Sequence, residues 1–139
     1  MSTDTTDPFS LTDVFVRLRP GGGMDLEPLT PSFWSGDHAT PGDRVVAVFE
    51  YASSDDLHSE VLEVHPEGDE LIVVLAGAID LISQSGGDEV VVSLDAGQAA
   101  VVRRGTWHRL SMRAPGRLLS INIRSGMRSR DRDATLAAS

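Results

Sequence analysis

The chain has no cysteine and no lysine. Without a thiol it has no disulfide framework, no thiolate metal site and no cysteine nucleophile. Without a lysine ammonium it forms no Schiff base and cannot complete a phosphate-binding P-loop. Aromatics are scarce: four Phe, two Trp and one Tyr in 139 residues, so packing must rest on aliphatic side chains. No apolar run approaches the roughly 20 residues that a membrane-spanning helix needs. The opening Met1-Ser-Thr-Asp-Thr-Thr-Asp-Pro is polar and acidic, unlike a secretory leader. The expectation is a cytoplasmic protein with no membrane partner. The length fits one domain, enough to bury about two thirds of the unfolded surface. Abundant Arg, Ala and Gly without Lys fits a GC-rich bacterial genome.

Twelve arginines stand against 21 acids, for a net charge of −9, which argues against a nucleic-acid partner. The charge is uneven. Residues 1–102 carry 3 Arg and 19 acids, a net −16; residues 103–139 carry 9 Arg and 2 Asp, a net +7. Either the basic end folds against the acidic body, or Arg103, Arg104, Arg109 or Arg117 builds an anion site. Spacing alone does not separate the two.

Residues 1–8 read as a loose N-terminus, 9–124 as a single domain and 125–139 as a flexible charged tail. Thr30-Pro-Ser-Phe-Trp34 suggests one short helical turn, with Thr30 as cap and Phe33 and Trp34 as anchors. The rest reads as short strands between turn signals: Val14–Leu18, Val45–Tyr51, Glu60–His65, Glu70–Leu75, Ala78–Ile82, Val90–Leu94, Ala99–Arg103, Trp107–Met112 and Leu118–Ile123. Glu70–Leu75 has the look of a strand buried on both faces. Gly86-Gly87-Asp88 is a hairpin signal, and Pro115-Gly116 marks a last turn. This rhythm, without a βαβ pattern or a fixed repeat, predicts an all-β sandwich or barrel.

Chemistry concentrates in one stretch. Glu63 and His65 are two apart, so on a strand they share a face. Pro66-Glu67-Gly68-Asp69 is built to turn, which can bring Glu70 back beside His65. His108 opens a later strand after Arg104-Gly105-Thr106. Nitrogen and oxygen donors converging inside a barrel would suit a divalent ion such as Fe, Mn, Ni or Zn. Without an ion, His65 would simply be a barrel histidine bonded to Glu63. Glu67 and Asp69 read as surface turn residues. Trp107 faces away from His108, towards core or interface, and His38 and His58 carry no assigned role.

The run His65-Pro-Glu-Gly-Asp-Glu70-Leu-Ile-Val-Val-Leu-Ala-Gly77, with six residues between Glu70 and Gly77, resembles the second half of the first cupin motif. Gly97-Gln-Ala-Ala-Val-Val-Arg103-Arg-Gly105-Thr-Trp-His108 resembles the second. The likeness covers residues 63 to about 112 and implies a jelly-roll β-barrel, also described as a double-stranded β-helix. By this resemblance His65, Glu70 and His108 are metal ligands, and Glu63 stands where the family has its first histidine. Leu57 replaces a motif glycine, Arg103 the motif proline and Met112 the final asparagine. Glu63 is then either a fourth ligand or a base beside a three-ligand ion. Two carboxylates with two imidazoles make a hard donor set that leans towards Fe(II) or Mn.

Three functions follow. The first is a metal-dependent enzyme of dioxygenase or isomerase type acting on a small organic molecule, with Arg109 or Arg117 binding a substrate carboxylate. The second is a non-catalytic module for a small ligand or a metal. The third is a barrel whose metal site has decayed. Small cupins resemble one another in forming homodimers, and Val45–Phe49 as an exposed edge strand, with Phe9, Phe15, Phe33 and Trp34 as anchors, would serve such an interface.

Overall fold

The structure, a computed structural model, describes residues 7–31, 33 and 40–133. Trp34 and His38 lie outside them, as do both extreme ends of the chain. Among the described residues, nine strands form one continuous sheet: β1 Val14–Leu18, β2 Met24–Pro28, β3 Arg44–Tyr51, β4 Val61–Val64, β5 Glu70–Ser85, β6 Asp88–Asp95, β7 Ala99–Val102, β8 His108–Asn122 and β9 Arg128–Asp131. All pairings are antiparallel. The expected all-β jelly roll is what the chain adopts.

Two long strands make the roll. The first half of β5 lies between β7 and the second half of β8, which also pairs with β3. The second half of β5 lies between β6 and the first half of β8. Midway along their pairing the β5–β8 register shifts between Val74 and Ile79. Gly77 takes φ +78, and a Cβ on Gly116 would strike the Ala76 carbonyl. The two glycines let the backbones approach at a bulge. Pro115-Gly116 therefore kinks β8 rather than ending it, and Gly77 kinks β5. This is why two pairs of expected strands are two continuous ones. Gly86 and Gly87, at φ 59 and 92, turn β5 into β6 as expected of a tight hairpin.

The core has two parts. Tyr51, Leu57, Ile72, Val74, Ile79, Leu81, Leu94, Val102 and Leu118 form the larger. Phe15, Phe33, Val45 and Ala47 form the smaller. Phe33 is held there by a turn in which its amide donates to the Thr30 carbonyl at 2.9 Å. Only one face of the first part of β5 is fully buried. Glu70, Ile72 and Val74 point in, while Leu75 is 47 % exposed.

Three further expectations change. β3 is flanked by β1 and β8, so Val45–Phe49 is an interior strand and presents no edge. Phe15 and Phe33 are core residues, leaving Phe9 exposed. The chain does not become a tail at residue 125: β9 pairs with β4 across Val61–Val64. Arg130 and Arg128 stack over Trp107 at 4.1 and 5.6 Å. Charged residues concealed that strand, just as Asp25 and Glu27 concealed β2. The basic end folds against the acidic body: Arg103 meets Asp69, Arg109 meets Glu89, Arg113 meets Asp80 and Asp95, and Arg132 meets Glu60.

Candidate metal centre

Strand alternation sets the inward-facing residues. On β4, Leu62 and Val64 are buried in packing, which turns Glu63, and His65 just past the strand end, to the other face. The turn through Pro66–Asp69 returns the chain to β5, whose first residue is Glu70. That turn is tied down. The Asp69 carboxylate accepts the Arg104 amide at 2.8 Å and the Arg103 guanidinium at 3.1 Å. The Gly105 amide donates to the His65 carbonyl at 3.0 Å. The Arg104 amide bond and then Arg103 hold the Asp69 carboxyl below its ordinary range. The same loop delivers His108 as the first residue of β8, in register with Glu63. Further along β8, Leu118, Ser120 and Asn122 face inward, and Arg124 follows in the same alternation.

These residues converge. Glu63, His65 and His108 each offer a ligand atom, all within 4.8 Å of one another. Glu70 touches both rings: Oε1 lies 2.8 Å from His108 Nε2 and Oε2 lies 3.5 Å from His65 Nε2. Glu63 Oε2 is 4.0 Å from His65 Nε2. That is too long for the direct His65–Glu63 hydrogen bond considered from sequence.

The tautomers follow from the backbone. His65 Nδ1 sits 3.2 Å from the Ile123 carbonyl and His108 Nδ1 sits 3.1 Å from the Thr106 carbonyl. A carbonyl only accepts, so each Nδ1 carries the hydrogen and each neutral ring presents its Nε2 lone pair. His65 Nε2 is buried without a hydrogen-bond partner. His108 Nε2 faces a carboxylate oxygen, and two lone pairs at that distance need a cation between them, either a proton or a metal ion. Imidazoles fixed through Nδ1 by carbonyls, with Nε2 aimed at carboxylates, are the arrangement of metal-ligating histidines. The donor set fits a divalent ion.

The protonation preferences differ. Burial lowers the His65 pKa, and the charges of Glu70 and Glu63 do not restore it. Burial also acts against a charged His108, but there the Glu70 hydrogen bond and charge prevail and the pKa is raised. For Glu70, burial favours the neutral acid. The His108 hydrogen bond, both imidazoles and the Asn122 amide together outweigh it, so the pKa is lowered. Asn122 Nδ2 donates to Glu70 Oε2 at 2.6 Å.

Of the two arginines expected to bind substrate, Arg109 lines the cavity with Glu63, Glu70 and His108, and Arg117 does not. Arg117 is half-exposed and pairs with Glu50 at 2.8 Å. It alternates with the inward Leu118 and so faces away from the cluster. Arg109 is buried but engaged, donating towards the Ser59 carbonyl at 3.5 Å and Glu89 at 3.4 Å. A second cation in that cavity is Arg124, which feels Glu63 and Glu70. Its pKa is lowered by burial against the pull of both carboxylates. Sequence reading missed Arg124 and Asn122. The signal was present as the period-two series Leu118, Ser120, Asn122, Arg124, but the family motif directs attention to position 112 instead.

The fold is a jelly roll carrying a His/carboxylate cluster inside the barrel. A family model described as "Cupin domain" matches residues 56–122, the stretch that carries Glu63, His65, Glu70 and His108. Similar solved structures include hydroxypropylphosphonic acid epoxidase from S. wedmorenis, 18 % identical with a TM-score of 0.49, over 57 % of this chain and 42 % of that one. A cupin-2 domain containing protein from Shewanella frigidimarina NCIMB 400 is 16 % identical with a TM-score of 0.46, over 61 % and 74 %. A cupin superfamily protein from Desulfitobacterium hafniense DCB-2 is 18 % identical with a TM-score of 0.48, over 61 % and 71 %. The match thus spans less than half of the epoxidase. No protein of curated function matches. Among the described residues no helix is long and apolar enough to cross a membrane.

Proposed function

We propose that the chain holds a divalent metal ion inside the barrel and acts as a metal-dependent enzyme on a small organic molecule. The observation that carries this reading is the pair of Nε2 lone pairs aimed at Glu70, each fixed by a backbone carbonyl behind its ring. His65, His108 and Glu70 hold the ion. A bound ion supplies Lewis acidity to an oxygen atom of the substrate. Glu63 is the most accessible of the four, with 24 % of its side chain exposed, and lines the cavity above the cluster. It is a fourth ligand or the group that exchanges a proton with the substrate.

The competing reading is a metal-free binding barrel. It draws on the His108–Glu70 contact, which a proton on Nε2 completes without an ion. Elemental analysis of protein purified without a histidine tag separates the two. We expect stoichiometric Fe, Mn, Ni or Zn, lost in His108→Ala and Glu70→Gln and retained in Glu67→Gln. No metal in the wild type, and none taken up on reconstitution, sinks the metal reading. Glu63→His distinguishes the roles of Glu63: a ligand there preserves metal or changes its identity, whereas a lost base leaves metal in place and removes turnover.

A further inference from the structure

We infer that the cavity beside the cluster is a binding site for a small carboxylate that also carries a hydroxyl, with Arg124 as its anion-recognising residue. The inference rests on the metal reading, and it begins from two polar atoms that the fold leaves without partners. Arg124 is 6 % exposed and lines the cavity. One end of its guanidinium is used: Nη2 donates to the Phe33 carbonyl at 2.9 Å, and the group lies over the Phe33 ring at 4.2 Å. Its Nε–H is buried with no acceptor. Two residues earlier, Asn122 gives its Nδ2 to Glu70, which fixes the amide orientation and leaves Oδ1 buried and unpaired. A residue with an unused donor and a residue with an unused acceptor thus line one cavity, two positions apart where β8 ends. Each is costly to bury unsatisfied, and a ligand with a carboxylate and a hydroxyl satisfies both.

Charge points the same way. The cavity holds Glu63 and Glu70 against Arg124, while the charge of Arg109 is offset by Glu89. Without an ion, two negative charges and one positive leave −1 when both imidazoles are neutral, or zero when His108 carries a second ring proton, and neither attracts an anion. A divalent ion changes the −1 to +1 and makes the site receptive to a monoanion. Metal and carboxylate should therefore bind cooperatively, with Arg124 and the ion sharing the carboxylate charge. The remaining lining includes Phe49, Leu57, Leu110 and Leu118, which suits a short apolar remainder. A second carboxylate would meet Glu63 and Glu70 uncompensated, so dianions are disfavoured.

The test uses glycolate as probe, its neutral amide glycolamide as control, and Zn(II) as the ion. Calorimetric titration into Zn(II)-loaded and chelator-stripped protein is read with elemental analysis of each sample. We expect loaded protein to bind glycolate at least about tenfold more tightly than glycolamide, and more tightly than stripped protein does. Arg124→Gln should lose about tenfold in glycolate affinity at unchanged zinc content. Equal affinity in that variant overturns the proposal and leaves the metal reading standing. If the variant does not fold, the ¹⁵N–¹H correlation of Arg124 Nε, read in the wild type and assigned with Arg124→Lys, replaces it. A shift on glycolate saturation supports the site, and an unmoved resonance under saturation overturns it. Should the wild type take up no zinc, the metal reading fails. Glycolate that still shifts the Arg124 resonance then preserves the anion site, and glycolate that does not bind ends it.

Discussion

The two ends of the barrel interior are built on the same strands and do opposite things. On β5, Val74, Ile79 and Leu81 fill one end, joined by Leu94; Ile72 and Leu118 belong to the same cluster and also line the cavity, and the Tyr51 hydroxyl donates to the Ala76 carbonyl. At the other end, β5 begins with Glu70 and β8 closes with Asn122, and both are buried although polar, at 6 % and 5 % exposure. In the polar end His65 Nε2, Asn122 Oδ1 and Arg124 Nε are buried without partners. Each such atom costs about 1–3 kcal/mol of desolvation. One end stabilises the fold, and the other gives stability up. Arg109 Nε and Arg130 Nε are buried without partners as well, but the gathering of three such atoms beside two carboxylates is the local conflict our proposed site would explain.

The contrast is broken most forcefully from the apolar side. Ile79 is fully buried, and Ile79→Ala should cost about 2–5 kcal/mol through lost transfer energy and the cavity left behind. Denaturant unfolding of metal-free protein checks this. Metal content of the folded variant should not change, because Ile79 does not line the cavity at the cluster. A variant that lost metal in proportion to stability would show that the two ends are one cooperative unit.

The polar side gives the reciprocal experiment. Asn122 makes no contact with the ion in our reading, yet its amide orients the Glu70 carboxylate from 2.6 Å. Removing a hydrogen-bond partner of a ligand typically weakens metal binding about 10–100-fold. Asn122→Ala should do so in competition against a chromophoric chelator, while lowering the stability of metal-free protein less than Ile79→Ala does. Unchanged metal affinity would reduce Asn122 to packing and remove Glu70 from the ligand set.

Much of this geometry was legible in the sequence. Strand alternation alone put Glu63 and His65 on one face, and the Pro66–Asp69 turn brought Glu70 to them. The jelly roll followed from turn spacing and the two motif-like runs. What was hidden has physical causes. β9 and β2 carry charged residues on paired strands, so neither shows an apolar period. Gly77 and Pro115-Gly116 look like turns because the residue types that end strands also build bulges. The distinction depends on how closely β5 and β8 approach, which is a tertiary fact. Arg124 was overlooked among nine arginines of the last 37 residues. Only strand phase separates the one beside the carboxylates from those paired on the surface.

Arg117 supplies the smallest effect and the sharpest control on that phase argument. It is seven residues before Arg124 on the same stretch of chain, and an odd separation along a strand puts the two on opposite faces. Its guanidinium meets Glu50 with both side chains at least half exposed. Solvent screening limits such a pair to about 0.2–1 kcal/mol. Arg117→Ala should therefore move the unfolding midpoint slightly and leave metal content and glycolate affinity at the wild-type level. If Arg117→Ala weakened glycolate as Arg124→Gln does, the inward series on β8 would be out of phase by one residue. Asn122 and Arg124 would then leave the cavity together, and the polar end would lose the two unpaired atoms that distinguish it from the apolar one.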